Sequence, residues 1–108
     1  MAFAYTVRCA FDDVAVMRAF AEWLEREHVA LVCEKGSATG EISFVDGQAV
    51  VAARYVFDSR DAFAAYEANH APQMRADGLA ELERLGVAPG RGVTMTRETG
   101  ELVRPRRG

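Results

Sequence analysis

The chain has 108 residues, of which 50% are apolar and 27% charged, and its formal net charge is −3. This length fits one domain with a hydrophobic core, and the composition is that of a globular protein in water. A net acidic chain weighs against nucleic acid as a partner, since phosphate contacts need a net basic face. We therefore expect a single domain over residues 1–101, followed by a basic, solvated C-terminal tail over residues 102–108.

The first predicted element is the strand FAYTVRCAF, in which large apolar side chains alternate with small or polar ones from residue 3 to residue 11. A period of two predicts a strand with one apolar face. The aspartates at 12 and 13 then provide a helix N-cap. From Val14 to about Lys35, apolar residues recur three and four positions apart, which predicts an amphipathic helix with His28 on its apolar stripe and Gly36 at its C-cap.

A hairpin follows, because an Asp-Gly pair at 46–47 separates two runs of β-forming residues. Asp-Gly favours a two-residue type I′ turn, and such a turn sets the strand register. In that register Val45 pairs with Gln48, and Ile42 faces Val51. One side of the hairpin is then apolar throughout, which supports the register.

Asp58 or Ser59 starts the next helix, and Pro72 ends it while fitting the first turn of a further, shorter helix that stops near Gly86. One face of the longer helix carries Phe63, Tyr66 and His70. The segment VAPGRG reads as a loop, and VTMTRETGEL reads as a last strand. The order β-α-β-β-α-(α)-β predicts a ferredoxin-like α+β sandwich, with a four-stranded antiparallel sheet that carries the helices on one face.

The cysteines and the termini indicate the cellular compartment. Cys9 and Cys33 lie far apart and match neither a disulfide framework nor a metal knuckle, so we expect reduced thiols. The first residues lack the basic and apolar segments of a signal peptide, and no stretch approaches the ~18–20 apolar residues of a membrane helix. The expectation is a cytoplasmic protein with no membrane partner.

The two histidines are the candidate catalytic residues. His28 and His70 lie on stripes that must face the sheet, so both rings should point into the layer between helices and sheet. The candidate ligand-binding side chains of that layer are Tyr5, Trp23, Tyr55 and Tyr66. A neutral imidazole there could act as a general acid or base. The competing interpretation is a pair of core histidines with bonded nitrogens, and an open cavity of at least ~300 Å³ reaching either ring would decide for a binding site.

The glutamates near the two histidines offer a metal site as a further interpretation. Glu25 and His28, and likewise Glu67 and His70, have the Glu-x-x-His spacing that di-iron carboxylate proteins use twice. Those sites need further glutamates from additional bundle helices, which an α+β sandwich does not supply. The sequence also lacks a P-loop, a Rossmann glycine pattern and an HExxH motif. We expect no metal and no cofactor.

The other face of the sheet is predicted to carry Arg8 and Arg54 on its two central strands, among small and β-branched neighbours. One interpretation is a solvated polar face, which antiparallel sheets often have. The other is a homodimer in which two sheets pack face to face. A buried arginine needs a partner, so Glu41 or Glu98 should approach one of the two.

Four segments, YTVRCAFDD, WLEREHVALVCEKG, ARYVFDSRDAFAAYEANHAPQMRADGL and RGVTMTRETGE, together resemble an uncharacterised bacterial family, domain of unknown function 4286. The resemblance implies a dimeric α+β barrel, related in architecture to antibiotic-biosynthesis monooxygenases and small polyketide cyclases. It transfers no catalytic residue. We expect a dimer that binds a small, partly apolar molecule between helices and sheet. The alternatives are cofactor-independent oxygenation, cyclisation or isomerisation, or a non-catalytic structural or regulatory dimer.

Overall fold

The strands and helices follow the predicted order with one addition. The structure is a computed structural model that describes residues 1–103, so most of the predicted tail lies outside the described residues. Its elements are β1 (Phe3–Phe11), α1 (Val14–Trp23), a π-helical turn (Leu24–His28), α2 (Val29–Gly36), β2 (Thr39–Phe44), β3 (Val50–Phe57), α3 (Arg60–Asn69), α4 (Ala71–Arg84), β4 (Ala88–Pro89) and β5 (Gly92–Glu101).

The sheet has the order β2-β3-β1-β5-β4, with β1 at its centre between two antiparallel neighbours. The predicted ferredoxin-like sandwich is confirmed, but the sheet has five strands rather than four. The fifth is β4, which lies in the segment expected to be a loop and pairs in parallel with the start of β5. Gly90 and Gly92 have φ values of 83° and 88°, which lets the chain reverse there and bring Ala88 back beside β5.

The β2–β3 hairpin differs from the predicted register by two residues. Ile42 faces Ala53 instead of Val51, and the Val45 N–H donates to the Val50 carbonyl at 3.1 Å. A type I′ turn needs positive φ at both central residues, and Ser37 is the only non-glycine residue of the described chain with positive φ. The turn is therefore longer than predicted. Because the shift is even, each side chain stays on its predicted face.

The first long helix is capped as expected at its start and differently at its end. The Asp13 side chain accepts the Ala15 N–H at 2.7 Å. At the other end Ser37, not Gly36, adopts the left-handed conformation, with φ 50°. Gly36 is the last helical residue, and a Cβ there would collide with the Phe57 ring. Close approach of helix and sheet, rather than helix termination, is what requires glycine at this position.

The second helical region is interrupted at His70, one residue earlier than Pro72 predicts. The Ser59 hydroxyl accepts the Ala62 N–H at 3.0 Å and caps α3. His70 then departs from helical geometry, with φ −129° and ψ −31°, and joins α3 to α4. Pro72 lies in the first turn of α4, where its missing N–H leaves no hydrogen bond unmade.

The helices pack on the sheet face formed by the alternate residues of β1 that begin with Phe3. Two buried clusters result, one centred on Phe11, Phe20 and Leu82 and the other on Phe57 and Tyr66. Aromatic rings dominate the second cluster, where Phe63 lies 5.1 Å from Phe3 between ring centroids. Within residues 1–103, no helix has the length and apolar character needed to cross a membrane.

Candidate functional site

A cavity of about 280 Å³ opens where the two buried clusters meet, between the helices and the sheet. Its volume is slightly below the ~300 Å³ given above as the threshold for a binding site, and the cavity reaches His28. Most of its wall is apolar. Its lining consists of Tyr5, Val7, Cys9, Phe20, Leu24, His28, Val32, Ala53, Tyr55, Tyr66, Ala71, Met74, Arg75, Gly78, Leu79, Pro89, Met95 and Arg97.

The cavity contains four of the six small-molecule site residues predicted from the sequence. His28, Tyr5, Tyr55 and Tyr66 all line it. Trp23 does not line it but is buried directly behind His28, with 8% of its surface exposed. The three tyrosines lie between the layers because strand and helix periodicity fix which side chains point there.

His28 occupies the last position of the π-helical turn, whose wider hydrogen bond runs from the Val29 N–H to the Leu24 carbonyl. Such turns shift the side chains that follow them, and they are common at functional sites. The His28 imidazole stacks on the Trp23 indole, with ring centroids 4.6 Å apart and planes 22° from parallel. Burial lowers the pKa of His28, against a smaller opposing effect of Asp77. The ring is therefore neutral at pH 7 and can accept a proton.

His70 is not among the side chains that line the cavity, which corrects its predicted position. The prediction assumed that α3 continues through residue 70. The helix ends at Asn69 instead, and the backbone of His70 is not helical. His70 lies half-buried at the helix junction, with its ring centroid 6.4 Å from that of Tyr66.

Two arginines that the sequence analysis did not select form the polar end of the cavity. The Arg97 Nε donates to the Tyr5 hydroxyl at 3.0 Å. Arg75 on α4 forms an ion pair with Glu67 on α3, and this hydrogen bond is the main reason why its pKa is raised. Arg97 was detectable, because it continues the inward series of Val93 and Met95 on the last strand. Arg75 carried no comparable signal.

The hydroxyl and thiol groups of the cavity are held in their neutral forms. Burial raises the pKa values of Tyr55 and Tyr66 well above that of a free phenol. Burial also raises the pKa of the Cys9 thiol to about 11, despite a smaller opposing effect of Arg97. The phenols therefore remain hydrogen-bond donors at neutral pH, and the thiol is a poor nucleophile.

Neither Glu-x-x-His pair forms part of a metal-binding cluster in the structure. No group of three or more His, Cys, Asp or Glu side chains in the described part of the chain could hold a metal ion. Glu67, one member of the second pair, is ion-paired with Arg75.

The sheet face without helices carries Arg8 and Arg54, as predicted. Arg54 pairs with Thr6 across β1 and lies opposite Glu41 of β2, and its Nη1 is 3.2 Å from the Glu41 Oε1. The prediction that a glutamate would approach one arginine is confirmed. Arg8 is exposed.

Solved structures show the fold of the chain, whereas no protein-family model and no curated protein matches it. A dimeric ferredoxin-like protein from an uncultured marine organism superposes with a TM-score of 0.70 at 16% identity, over 97% of this chain and 98% of that one. A second dimeric ferredoxin-like protein from an uncultured marine organism gives 0.60 at 14% identity, over 96% and 93%.

A monooxygenase of Streptomyces coelicolor, solved in complex with the ligand nanaomycin D, also superposes with a TM-score of 0.60 at 14% identity, over 96% of this chain and 92% of that one. At such identities the likeness shows the ferredoxin-like α+β fold alone. Membership of the family named domain of unknown function 4286 has no matching family model behind it and stays a prediction.

Proposed function

We propose that the cavity between the helices and the sheet binds a small, partly apolar molecule. The observation that carries this proposal is the composition of one cavity: an apolar wall with an imidazole, three phenols and two guanidinium groups that converge on it. Small-molecule sites commonly combine apolar walls with a few placed polar groups. A core that only completes packing has little need for so many polar tips around an open volume.

The size of the cavity limits the ligand. Pockets for drug-sized molecules are commonly about 300–1,000 Å³, so a cavity of about 280 Å³ lies at the small end. A compact molecule of one to three rings fits this range better than a long chain or a nucleotide. The aromatic wall of Phe20, Tyr55 and Tyr66 favours a flat, aromatic body.

We infer in addition that two copies associate through the sheet face without helices. The face mixes small residues, such as Ala4 and Ala52, with the Glu41–Arg54 ion pair, and no helix covers it. The two marine proteins of the same fold are dimeric by their descriptions. A sheet face with small side chains allows two sheets to approach closely, and a charged pair would fix their orientation.

A second candidate function is turnover of the bound molecule by cofactor-independent oxygenation, cyclisation or isomerisation. Two observations favour it: His28 reaches the cavity as a neutral imidazole, and one protein of the same fold is a monooxygenase. His28 would act as the general base that removes a proton from the bound molecule. His70 would act only indirectly, because it does not line the cavity.

Thermal shifts with and without a cavity-filling substitution test the binding proposal. Ala53→Leu fills part of the cavity with a larger side chain from β3, where Ala53 is buried with 4% exposure. The probes are nanaomycin D and 2-naphthol. We expect a dose-dependent rise in Tm for the wild type and for the matched control His70→Ala, and no rise for Ala53→Leu. Equal shifts in all three proteins would place the ligand elsewhere.

The stability of His28→Ala separates a binding residue from a core residue. If His28 faces an open cavity, water replaces the ring, and the free energy of unfolding falls by less than about 1 kcal/mol. If the ring is a packing element, the loss is on the order of 1–3 kcal/mol. A large loss, together with no shift from either probe in the wild type, would mean a structural or regulatory dimer without a ligand.

A further inference from the structure

The polar end of the cavity carries more positive charge than negative charge. Arg75 and Arg97 both line it, while none of its lining residues, all within the described chain, is an aspartate or glutamate. The charge of Arg75 is already balanced by Glu67. Arg97 is therefore the arginine of this site whose positive charge can attract a ligand.

The position of Arg97 suits it to meet a ligand. It lies on β5 opposite Val7 of the central strand, and its side chain reaches the cavity from the sheet side. Its Nε is occupied by the Tyr5 hydroxyl at 3.0 Å. No carboxylate of residues 1–103 forms an ion pair with it. The two terminal nitrogens of the guanidinium are left to bind something else, and the residue as a whole is exposed.

The charge of Arg97 acts on groups inside the cavity. It lowers the pKa of Cys9 and of Tyr66, although burial outweighs it at both and raises their pKa values. The guanidinium therefore faces the interior of the site as well as solvent. A positive charge in the lining of an apolar cavity attracts an anion that binds there.

We propose that Arg97 binds the carboxylate of a small aromatic acid whose rings occupy the apolar part of the cavity. This inference rests on the proposed function, and it names the chemical class of the ligand. A guanidinium presents two parallel N–H donors in one plane, which match the two oxygens of a carboxylate. Tyr5 holds the fork in place through Nε, so that less side-chain freedom is lost when the acid binds.

An isosteric pair of probes tests the charge of the ligand. 2-Naphthoate and 2-naphthamide have nearly the same shape, but only the first is an anion at pH 7. Their Kd values are measured by calorimetry for the wild type, for Arg97→Gln and for Arg18→Gln. Arg18 is exposed on α1 and does not line this cavity, so it controls for the loss of one positive charge.

We expect the wild type to bind naphthoate about tenfold more tightly than naphthamide, as a charge-assisted pair at a cavity mouth would require. Arg97→Gln should weaken naphthoate binding far more than naphthamide binding and so remove that preference, while Arg18→Gln should keep it. The wild-type preference should also shrink as salt rises. This wild-type measurement does not depend on whether the variant folds.

Three results contradict the inference, and one of them also contradicts the proposed function. If both probes bind the wild type equally, the site does not select for negative charge. The proposal that the cavity binds aromatic molecules then still stands. If naphthoate is preferred but Arg97→Gln retains the preference, another cation holds the acid. If neither probe binds the wild type, the acid site and the proposed aromatic-binding cavity both fail.

Discussion

Arg54 and Glu41 lie directly opposite each other on β3 and β2, with 3.2 Å between guanidinium and carboxylate, on the sheet face that no helix covers. Their side chains are 39% and 65% exposed, so within one chain the pair contributes at most about 1 kcal/mol of stability. Its effect would be larger between two sheets, because water is excluded there and a misplaced charge becomes expensive.

Reversing the charge at this position should therefore weaken the dimer. Arg54→Glu places two acidic side chains opposite each other on the face proposed to join two copies, and symmetry would repeat the repulsion. We expect the dimer Kd to rise at least about tenfold. Sedimentation equilibrium at micromolar concentration measures it.

The matched control is Arg18→Glu, which makes the same change of charge on the helix side. It should leave the dimer Kd within about twofold, because it is remote from the shared face. A monomeric mass for the wild type would remove the dimer proposal altogether. A dimer that survives Arg54→Glu unchanged would mean that another surface is used.

His28 should make the protein less stable in mild acid. Its pKa is lowered in the folded state, mainly by burial, whereas the unfolded chain has a pKa of about 6.5. Below about pH 6.5 the unfolded chain takes up a proton that the folded chain resists, so the free energy of unfolding falls as pH falls. Well above pH 6.5 His28 is neutral in both the folded and the unfolded chain, so it does not change the free energy of unfolding with pH. The contribution is ~1.4 kcal/mol for each pH unit between the two pKa values.

Urea unfolding between pH 7.5 and 5.0 checks this dependence on pH. His28→Gln cannot titrate, so its stability should fall less over this range than that of the wild type. NMR titration of the imidazole gives the folded pKa directly. A pKa of His28 at or above about 6.5 would contradict the burial argument.

Two helical glycines should respond to alanine in opposite directions. A Cβ at Gly36 would meet the Phe57 ring in the tight contact between α2 and the sheet, whereas a Cβ at Gly78 in α4 would meet nothing within 4 Å. We expect Gly36→Ala to lower the free energy of unfolding by about 1–3 kcal/mol through overpacking. Gly78→Ala should raise it by about 0.5–1 kcal/mol, because alanine favours the helix.

Chemical denaturation of the two variants side by side measures both effects. Equal destabilisation by both substitutions would show that Gly78 also lies in a tight contact. A neutral effect of Gly36→Ala would show that Phe57 moves aside at no cost.

Cys9 should resist alkylation while the protein is folded. With a pKa of about 11 it is thiolate in roughly one molecule in a thousand at pH 8, and only 2% of its surface is exposed. Cys33 is less buried, and burial raises its pKa as well. Iodoacetamide followed by peptide mass spectrometry should therefore label Cys33 before Cys9, and urea should equalise the two. Faster labelling of Cys9 in the native protein would indicate a thiolate in the cavity.

The fold could be predicted from the sequence because its elements have strong periodic signals. The hairpin shows where that reasoning stops. Alternation fixed the faces of β2 and β3, but the register depended on the conformation of Asp46, whose φ is not positive. Both registers place the same side chains on the apolar face, so the hydrophobic pattern alone does not distinguish between them. The short strand β4 was missed because two residues carry no periodicity.

The site was only partly predictable for a similar reason. Tyr5 and Tyr55 point inward because of strand alternation, which survives small errors in register, and Tyr66 follows from helix periodicity. His70 was expected in the cavity because α3 was expected to continue through residue 70, whereas α3 ends at Asn69. Arg97 was overlooked because charged residues were expected on the solvated face, although its position in the alternation of β5 marks it as inward-facing.

Trp23 is the one tryptophan of the chain, and it stacks on the imidazole that reaches the cavity. Its fluorescence is therefore the emission of a single indole whose neighbour changes when the site is filled or protonated. An imidazolium ion quenches a stacked indole, and a bound ring accepts its excitation energy when that ring absorbs at the wavelengths of the indole emission. The fluorescence of Trp23 thus reports both the occupancy of the cavity and the charge of His28, with no dye attached and no residue replaced.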